Sequence, residues 1–326
     1  MARFIVGHRW RALGEKHPRL EHWLYRLDHA FFSSLLWLIK RLPIDAASSS
    51  GGFLGRSLGP RFKKSRALEE NLAIAFPEFD HHRRKTIARE AWDNAGRVFA
   101  EYVHLESIRD GKNPQRLEVI DHFGMEVVTA SQKPVIFVAA HQANWELTAA
   151  AVTRFGIPLS VVYSPPTNPL IDTLMQHWRQ HIRCELIPRE ESMRPLMRAL
   201  NSGRSIGVII DRRVDNGRDI ALFNHEKPTS LIAARLAIRY QCPLVPVRVE
   251  RLDGAYFRVT ICEPIAEPQT GGDELTQASL MISEVHRQFE RWIRERPGQW
   301  FPSKRLWPKS LYPRKTHGAA GASPVV

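Results

Sequence analysis

From Pro134 onward the apolar positions fall into short β-branched runs separated by helical stretches. The runs are PVIFVAA (134–140), PLSVVY (158–163), CELIP (184–188), SIGVII (205–210), PLVPVRVE (243–250) and YFRVTI (256–261). Such alternation predicts an α/β layer fold with helices flanking a central sheet. The last two runs flank Leu252-Asp-Gly-Ala255, a hairpin turn signal, so the predicted sheet is mixed. Helical periodicity covers about 66–76, 81–103 and 275–296. Residues 43–65, rich in Gly, Ser and Pro and then in Lys and Arg, read as a connector ending in a basic turn.

Nearer the N-terminus, Leu20, Leu24, Leu27, Phe31, Leu35, Leu38 and Leu42 recur at spacings of three and four, beside Trp23 and Trp37. Arg19, Arg26, Lys40 and Arg41 surround them. The pattern fits an amphipathic helix lying in a membrane interface, or one packing on its own domain. The apolar stretch Phe31–Ile39 is shorter than the ~20 residues of a spanning helix. Three regions follow: an N-terminal membrane-interface helix region (1–45), a main domain (46–312) and a flexible tail (313–326).

Composition narrows the class. The 326 residues are 43% hydrophobic and 25% charged, which excludes wholesale disorder and supports a sizeable core. Forty-seven Lys and Arg against 34 Asp and Glu give a net charge of +13, which favours an anionic partner. Residues 287–315 hold nine basic and two acidic side chains. Cys184, Cys242 and Cys262 are far apart and in apolar sequence, so reduced, buried thiols and a cytoplasmic setting are expected. The first twenty residues lack the apolar core and cleavage site of a secretory signal.

The most informative motif is His141-Gln-Ala-Asn-Trp-Glu146, directly after a buried strand, where α/β folds collect ligands. A histidine there can act as general base, with a carboxylate on its second nitrogen fixing the tautomer. Two helical residues five apart would diverge by about 140° around the axis, so the spacing suits a strand-to-helix turn. Asp211 ends the SIGVII strand and is poised for the site or for an arginine pair. Asn144 and Trp145 complete the turn. Gly55-Arg-Ser-Leu-Gly59 matches G-x-S-x-G but lacks the strand–turn–helix context of a hydrolase nucleophile. His177 and His181 lack the glutamate of H-E-x-x-H, so no metal and no cofactor is expected.

Several blocks together resemble the lipid A biosynthesis acyltransferase branch of the lysophospholipid acyltransferase superfamily. His141 and Glu146 match its H-x4-D/E motif, and Asn71-Leu-Ala-Ile-Ala-Phe-Pro-Glu78 its N-L-x-x-A-F-P segment. The stretch Tyr163–Asp172 resembles its (Y/R)-x-x-x-N-P-L-x-D block. Asp211-Arg212-Arg213 resembles its D-x-R, followed by Phe223 and a helix start at Pro228-Thr-Ser230. The stretch Trp300–Trp307 departs from the W-x-W-x-H-x-R-W of many relatives, lacking the second tryptophan and the histidine.

The resemblance implies a glycerolipid acyltransferase-like fold and transfer of an acyl chain to a membrane-lipid hydroxyl. The donor would be acyl carrier protein, less commonly acyl-coenzyme A, and the acceptor a lipid A precursor. Another glycolipid or a lysophospholipid is the alternative acceptor. His141 would be the base and Glu146 its support. Arg179 is the first candidate for the oxyanion and Arg189 the second, with Asp211 and Asn144 completing the oxyanion and substrate-binding set. The enzyme would act at the cytoplasmic face of a bacterial inner membrane, drawn to its anionic surface. A non-enzymatic reading, a basic membrane-surface or nucleic-acid binder, rests on charge alone, and no nucleic-acid motif accompanies it, so no nucleic-acid partner is expected.

Overall fold

The computed structural model describes residues 16–268 and 273–313. Most of the proposed tail, and the first 15 residues of the N-terminal region, lie outside them. The N-terminal half is helical: α1 (Pro18–Lys40), α2 (Ile44–Leu58), α3 (Lys63–Ala75), α4 (His81–Glu101) and α5 (Leu105–Asp110). Strand β1 (Leu117–Asp121) and α6 (Met125–Ser131) lead into β2 (Ile136–Ala139), α7 (Glu146–Arg154), β3 (Leu159–Tyr163) and α8 (Pro169–Arg179). Then come β4 (Glu185–Pro188), α9 (Met193–Asn201), β5 (Ser205–Ile209) and the hairpin β6 (Arg218–Leu222) and β7 (His225–Thr229). The chain closes with α10 (Ile232–Tyr240), β8 (Leu244–Asp253), β9 (Tyr256–Ile261) and α11 (Glu274–Glu295).

Seven strands form one sheet in the order β1-β9-β8-β2-β5-β3-β4. All neighbours are parallel except β8 and β9, which are antiparallel. The mixed sheet expected from the Leu252–Ala255 turn is thus present, with Gly254 at φ +46° where the turn needs the left-handed region. Side-chain alternation divides the core. Ile136 and Val138 join Ile206 and Leu244 against α3, α4, α10 and α11. Phe137 joins Leu159, Val245 and Val247 against α5 and α7 on the other face.

Two expectations are corrected. The stretch 43–65 is mostly the helix α2, because its small residues serve close packing rather than a turn. A Cβ on Gly51 would lie 2.5 Å from the Gly96 carbonyl oxygen of α4, so glycines bring the two helices together. Ser57 therefore sits on a helix, not on a nucleophile turn. Pro228 and Thr229 belong to β7 instead of starting a helix, and the hairpin turns at Phe223 and Asn224, both at positive φ. Strand β1 was not foreseen, since five residues of mixed polarity carry little periodicity.

Helix α1 shows both faces foreseen for it. Leu24, Asp28 and Leu36 are buried against the body, and the Asn168 side chain donates to the Tyr25 carbonyl at 3.0 Å. Trp23, Leu27, Phe31, Trp37 and Leu38 remain 49–62% exposed. Phe53, Leu54 and Leu58 of α2 and Phe62 beyond it are also exposed. Among the described residues, no helix is long and apolar enough to cross a membrane.

Candidate active site

Strand β2 ends at Ala139, and the chain turns through His141–Trp145 before Glu146 opens α7. Ala143 is buried with φ +47°, a left-handed conformation that costs a non-glycine residue about 1–3 kcal/mol unless its surroundings enforce it. They do. The Ala143 N–H donates to the Gln299 carbonyl at 2.8 Å, and the Asn94 amide of α4 donates to the Ala143 carbonyl at 3.0 Å. The His141 carbonyl accepts from the Phe301 N–H at 3.1 Å.

Strands β2 and β5 are paired with Ala139 opposite Ile209. Two residues further, His141 and Asp211 therefore leave the sheet side by side. The His141 Nδ1–H donates to Asp211 Oδ1 at 2.6 Å. Asp211 Oδ2 accepts from the His141 backbone N–H at 3.0 Å and from the Trp300 indole N–H at 3.1 Å. Burial opposes charge on Asp211, but the His141 ring and the donors around it outweigh burial and hold its carboxyl well below the usual range. An ionised carboxylate only accepts, so Nδ1 carries a proton, and Nε2 is the nitrogen that bears the lone pair in the neutral ring. His141 lines a cavity of about 540 Å³.

Glu146 makes no hydrogen bond to His141, the contact the motif spacing suggested. Its carboxylate is engaged by Arg179, whose Nε and Nη2 donate at 2.9 and 2.5 Å. The five-residue step carries Glu146 round the turn onto α7, where it meets the end of α8, and β5 supplies the histidine's partner instead. Burial works against the Arg179 charge, yet Glu146 overcomes it and holds the guanidinium firmly protonated. Arg179 also lies over the rings of Tyr102 and Tyr163, at 5.5 and 5.6 Å.

Glu146, Arg179 and Arg189 line the same cavity as His141. Asp211 stands behind the histidine, not among the lining residues. Asn144 is turned inward: it is fully buried and its amide donates to Glu101 at 2.9 Å, so the structure gives it the shaping role and not a substrate contact. Glu101 in turn meets Arg251 of β8 in a buried ion pair and accepts from the Ser48 hydroxyl at 2.6 Å. Arg251 donates to Asn94 at 3.2 Å, which closes a polar network under the turn.

Some of these residues carry little sequence signal. Glu101 and Arg251 are 150 positions apart and read as ordinary surface charges until the fold buries them. Lys227 is fully buried, its ammonium 3.5 and 3.3 Å from the Ile210 and Arg212 carbonyls that bracket Asp211. Burial lowers its pKa to about 8.

Residues 14–309 match the family model described as bacterial lipid A biosynthesis acyltransferase. The chain belongs to that family. It is also similar to a protein of Haemophilus influenzae named lipid A biosynthesis acyltransferase, with 26% identity over 172 residues. That alignment covers 52% of this chain and 53% of the relative, so it spans about half the length of the curated relative. The blocks that carried the resemblance are placed around the site of this lipid A acyltransferase family member. Asn71 donates to the Pro302 and Lys304 carbonyls and accepts from the Tyr312 hydroxyl at 2.6 Å, anchoring the segment that bears Trp300. Asn168 caps α8 through the Leu170 N–H, and the Tyr163 hydroxyl donates to Asp172 at 3.2 Å, so this block sets the helix that presents Arg179.

Cys184, on the cavity wall beside Arg179, is pushed up to about 11 by burial and by the nearby Glu146 carboxylate. The thiolate is the reactive form, so alkylation by iodoacetamide should be slow at pH 7.5 and rise about tenfold per pH unit toward pH 10. Mass spectrometry of tryptic peptides checks this; a rate already levelling at pH 8 contradicts the buried environment.

Proposed function

We propose that this family member transfers a fatty acyl chain from an acyl carrier protein thioester to a hydroxyl of a lipid A precursor, as a late acylation in lipopolysaccharide assembly. The observation that carries the reading is the His141–Asp211 pair opening onto a largely apolar cavity with an arginine held in its wall. Phe137, Val161 and Val152 supply apolar lining suited to a hydrocarbon chain.

In this reading His141 Nε2 takes the proton of the acceptor hydroxyl as its oxygen attacks the thioester carbonyl. Asp211 keeps Nδ1 protonated, so the ring presents a lone pair to the substrate, and stabilises the imidazolium that forms. The tetrahedral oxyanion gathers positive charge from Arg179, which Glu146 fixes in place rather than removes: a bidentate pair orients the guanidinium and leaves Nη1 free of it. Collapse expels the thiolate of the carrier, and the imidazolium returns a proton to it. The histidine supplies both proton transfers without a covalent intermediate on the protein.

The exposed apolar face of α1, continued by Phe53, Leu54 and Phe62, supports attachment to the cytoplasmic surface of the inner membrane. Arg56, Arg61, Lys63 and Lys64 lie along the same stretch of chain, where basic side chains near an anionic surface contribute about 1 kcal/mol each. A peripheral enzyme so placed would take its lipid acceptor from the bilayer and its donor from the cytoplasm.

Two outcomes are expected. In a deletion strain, mass spectrometry of lipid A should show the loss of one acyl chain, restored by wild type and not by His141→Ala; restoration by the variant would refute the mechanism. Loss of a chain from another lipid instead would transfer the reading to that acceptor. Replacing Trp23, Leu27 and Phe31 by serine should lower binding to anionic phospholipid vesicles at least tenfold in flotation, with the fold kept because these side chains face outward. Unchanged flotation would rule out this face as the attachment surface.

A further inference from the structure

Among the half-buried arginines around the site, one stands apart. Arg179 is paired with Glu146, Arg251 with Glu101, Arg248 with Glu250 and Glu295, and Arg213 with Asp215. Arg212 is half-buried, lines the same cavity as His141, and its guanidinium has no hydrogen-bond or ion-pair partner among the described residues. Chain alternation explains its direction: Asp211 turns inward to His141, and its successor faces the cavity.

Two further cations join it. Arg189, directly after β4, lines the cavity at its exposed side and has no hydrogen-bond or ion-pair partner among the described residues. Its neighbour Glu190 makes no ion pair with it. Lys304 is exposed and does not itself line the cavity; it lies three residues beyond Phe301, which does, in the segment whose carbonyl groups Asn71 grips. Burial lowers the pKa of the Lys304 ammonium, and so does its closeness to Arg212, Arg189 and Lys64. Burial acts against the charge on Arg212, Asp211 acts for it, and Arg189 acts against it. The Asp211 carboxylate acts in favour of the Arg212 charge but is hydrogen-bonded to His141 and Trp300, and Asp215 is paired with Arg213, so no carboxylate is ion-paired to the group among the described residues. The hydroxyl-bearing residues Ser192 and Ser230 line the same cavity.

We infer that Arg212, Arg189 and Lys304 form an anion site at the catalytic cavity, built for a phosphate ester carried by one of the substrates. Guanidinium forks match phosphate oxygens, and three neighbouring cations with no ion-paired carboxylate suit a dianion better than a single carboxylate. This assignment rests on the acyl-transfer reading, which supplies two phosphate sources: a phosphomonoester on the lipid acceptor, and the phosphodiester of the carrier's pantetheine arm. Either would anchor its substrate a fixed distance from His141, so the site would govern binding rather than the chemical step. Neither Arg212 nor Lys304 was singled out by motif, since Arg212 occupies the variable position of D-x-R.

The test uses the full chain in detergent with inorganic pyrophosphate as probe, at constant ionic strength, read by thermal shift. Wild type should bind saturably; Arg212→Gln and Arg189→Gln should each weaken binding at least tenfold, and Arg212→Lys should retain most of it. Arg287→Gln, which alters an exposed arginine paired with Glu284 on α11, should match wild type. No saturable binding by wild type, or wild-type affinity in both glutamine variants, would overturn the site. Kinetics then separate the sources. If the acceptor supplies the phosphate, Arg212→Gln raises the KM of the phosphorylated acceptor at least tenfold with kcat kept, and adds nothing for the dephosphorylated one. If the donor supplies it, the rise appears in the donor KM and vanishes with an acyl-pantetheine thioester lacking phosphate. No change in either KM overturns the proposal. Absence of acyl transfer by wild type would instead remove the functional reading, while the pyrophosphate measurement would still report on the anion site.

Discussion

A parallel register between two buried strands sets the geometry of the candidate site. Because Ala139 sits opposite Ile209, the next residues out of the sheet bring His141 and Asp211 within 2.6 Å. That single contact fixes the ring orientation, the tautomer and the nitrogen offered to substrate. It works only if both strand ends are rigid, and much of the remaining structure supplies that rigidity. Trp300 and the His141 backbone N–H hold the aspartate, Lys227 spans the carbonyls on either side of it, and Gln299 and Asn94 clamp the strained turn at Ala143. Burying a carboxylate is costly unless donors replace its water, and here three surround it.

Charge is partitioned with the same economy of position. The Glu146–Arg179 pair lies in the cavity wall, and the Glu101–Arg251 pair lies beneath the turn, where Asn144 and Ser48 complete its hydrogen bonds. Each buried charge thus has a partner, as low-dielectric surroundings require. Arg212, half-buried and without an ion pair among the described residues, departs from that pattern, and with the exposed Arg189 and Lys304 it makes up the anion site proposed above.

The layer order, the mixed sheet and six of its strands were legible because β-branched runs alternate with helical periods. The site's histidine was legible because it follows such a run. What the sequence hid was contact across long separations. His141 and Asp211 are 70 residues apart, and only the β2–β5 register joins them, whereas the nearby glutamate of H-x4-E was a plausible partner by spacing alone. Residues 43–65 misled for a related reason: glycine and serine signal turns locally, but Gly51, Gly55 and Gly96 are there to let two helices touch. The hairpin at Phe223-Asn224 was missed because it lacks the glycine that usually marks such a turn.

The central claim is that Asp211, not Glu146, orients the histidine proposed as the base. Proton–nitrogen correlation spectra of 15N-histidine-labelled protein, with His141 assigned by difference against His141→Gln, test it most directly. The account predicts an Nδ1–H hydrogen-bonded resonance for His141 in wild type and in Glu146→Gln, and its loss in Asp211→Asn. A resonance that survives Asp211→Asn and disappears in Glu146→Gln would contradict it.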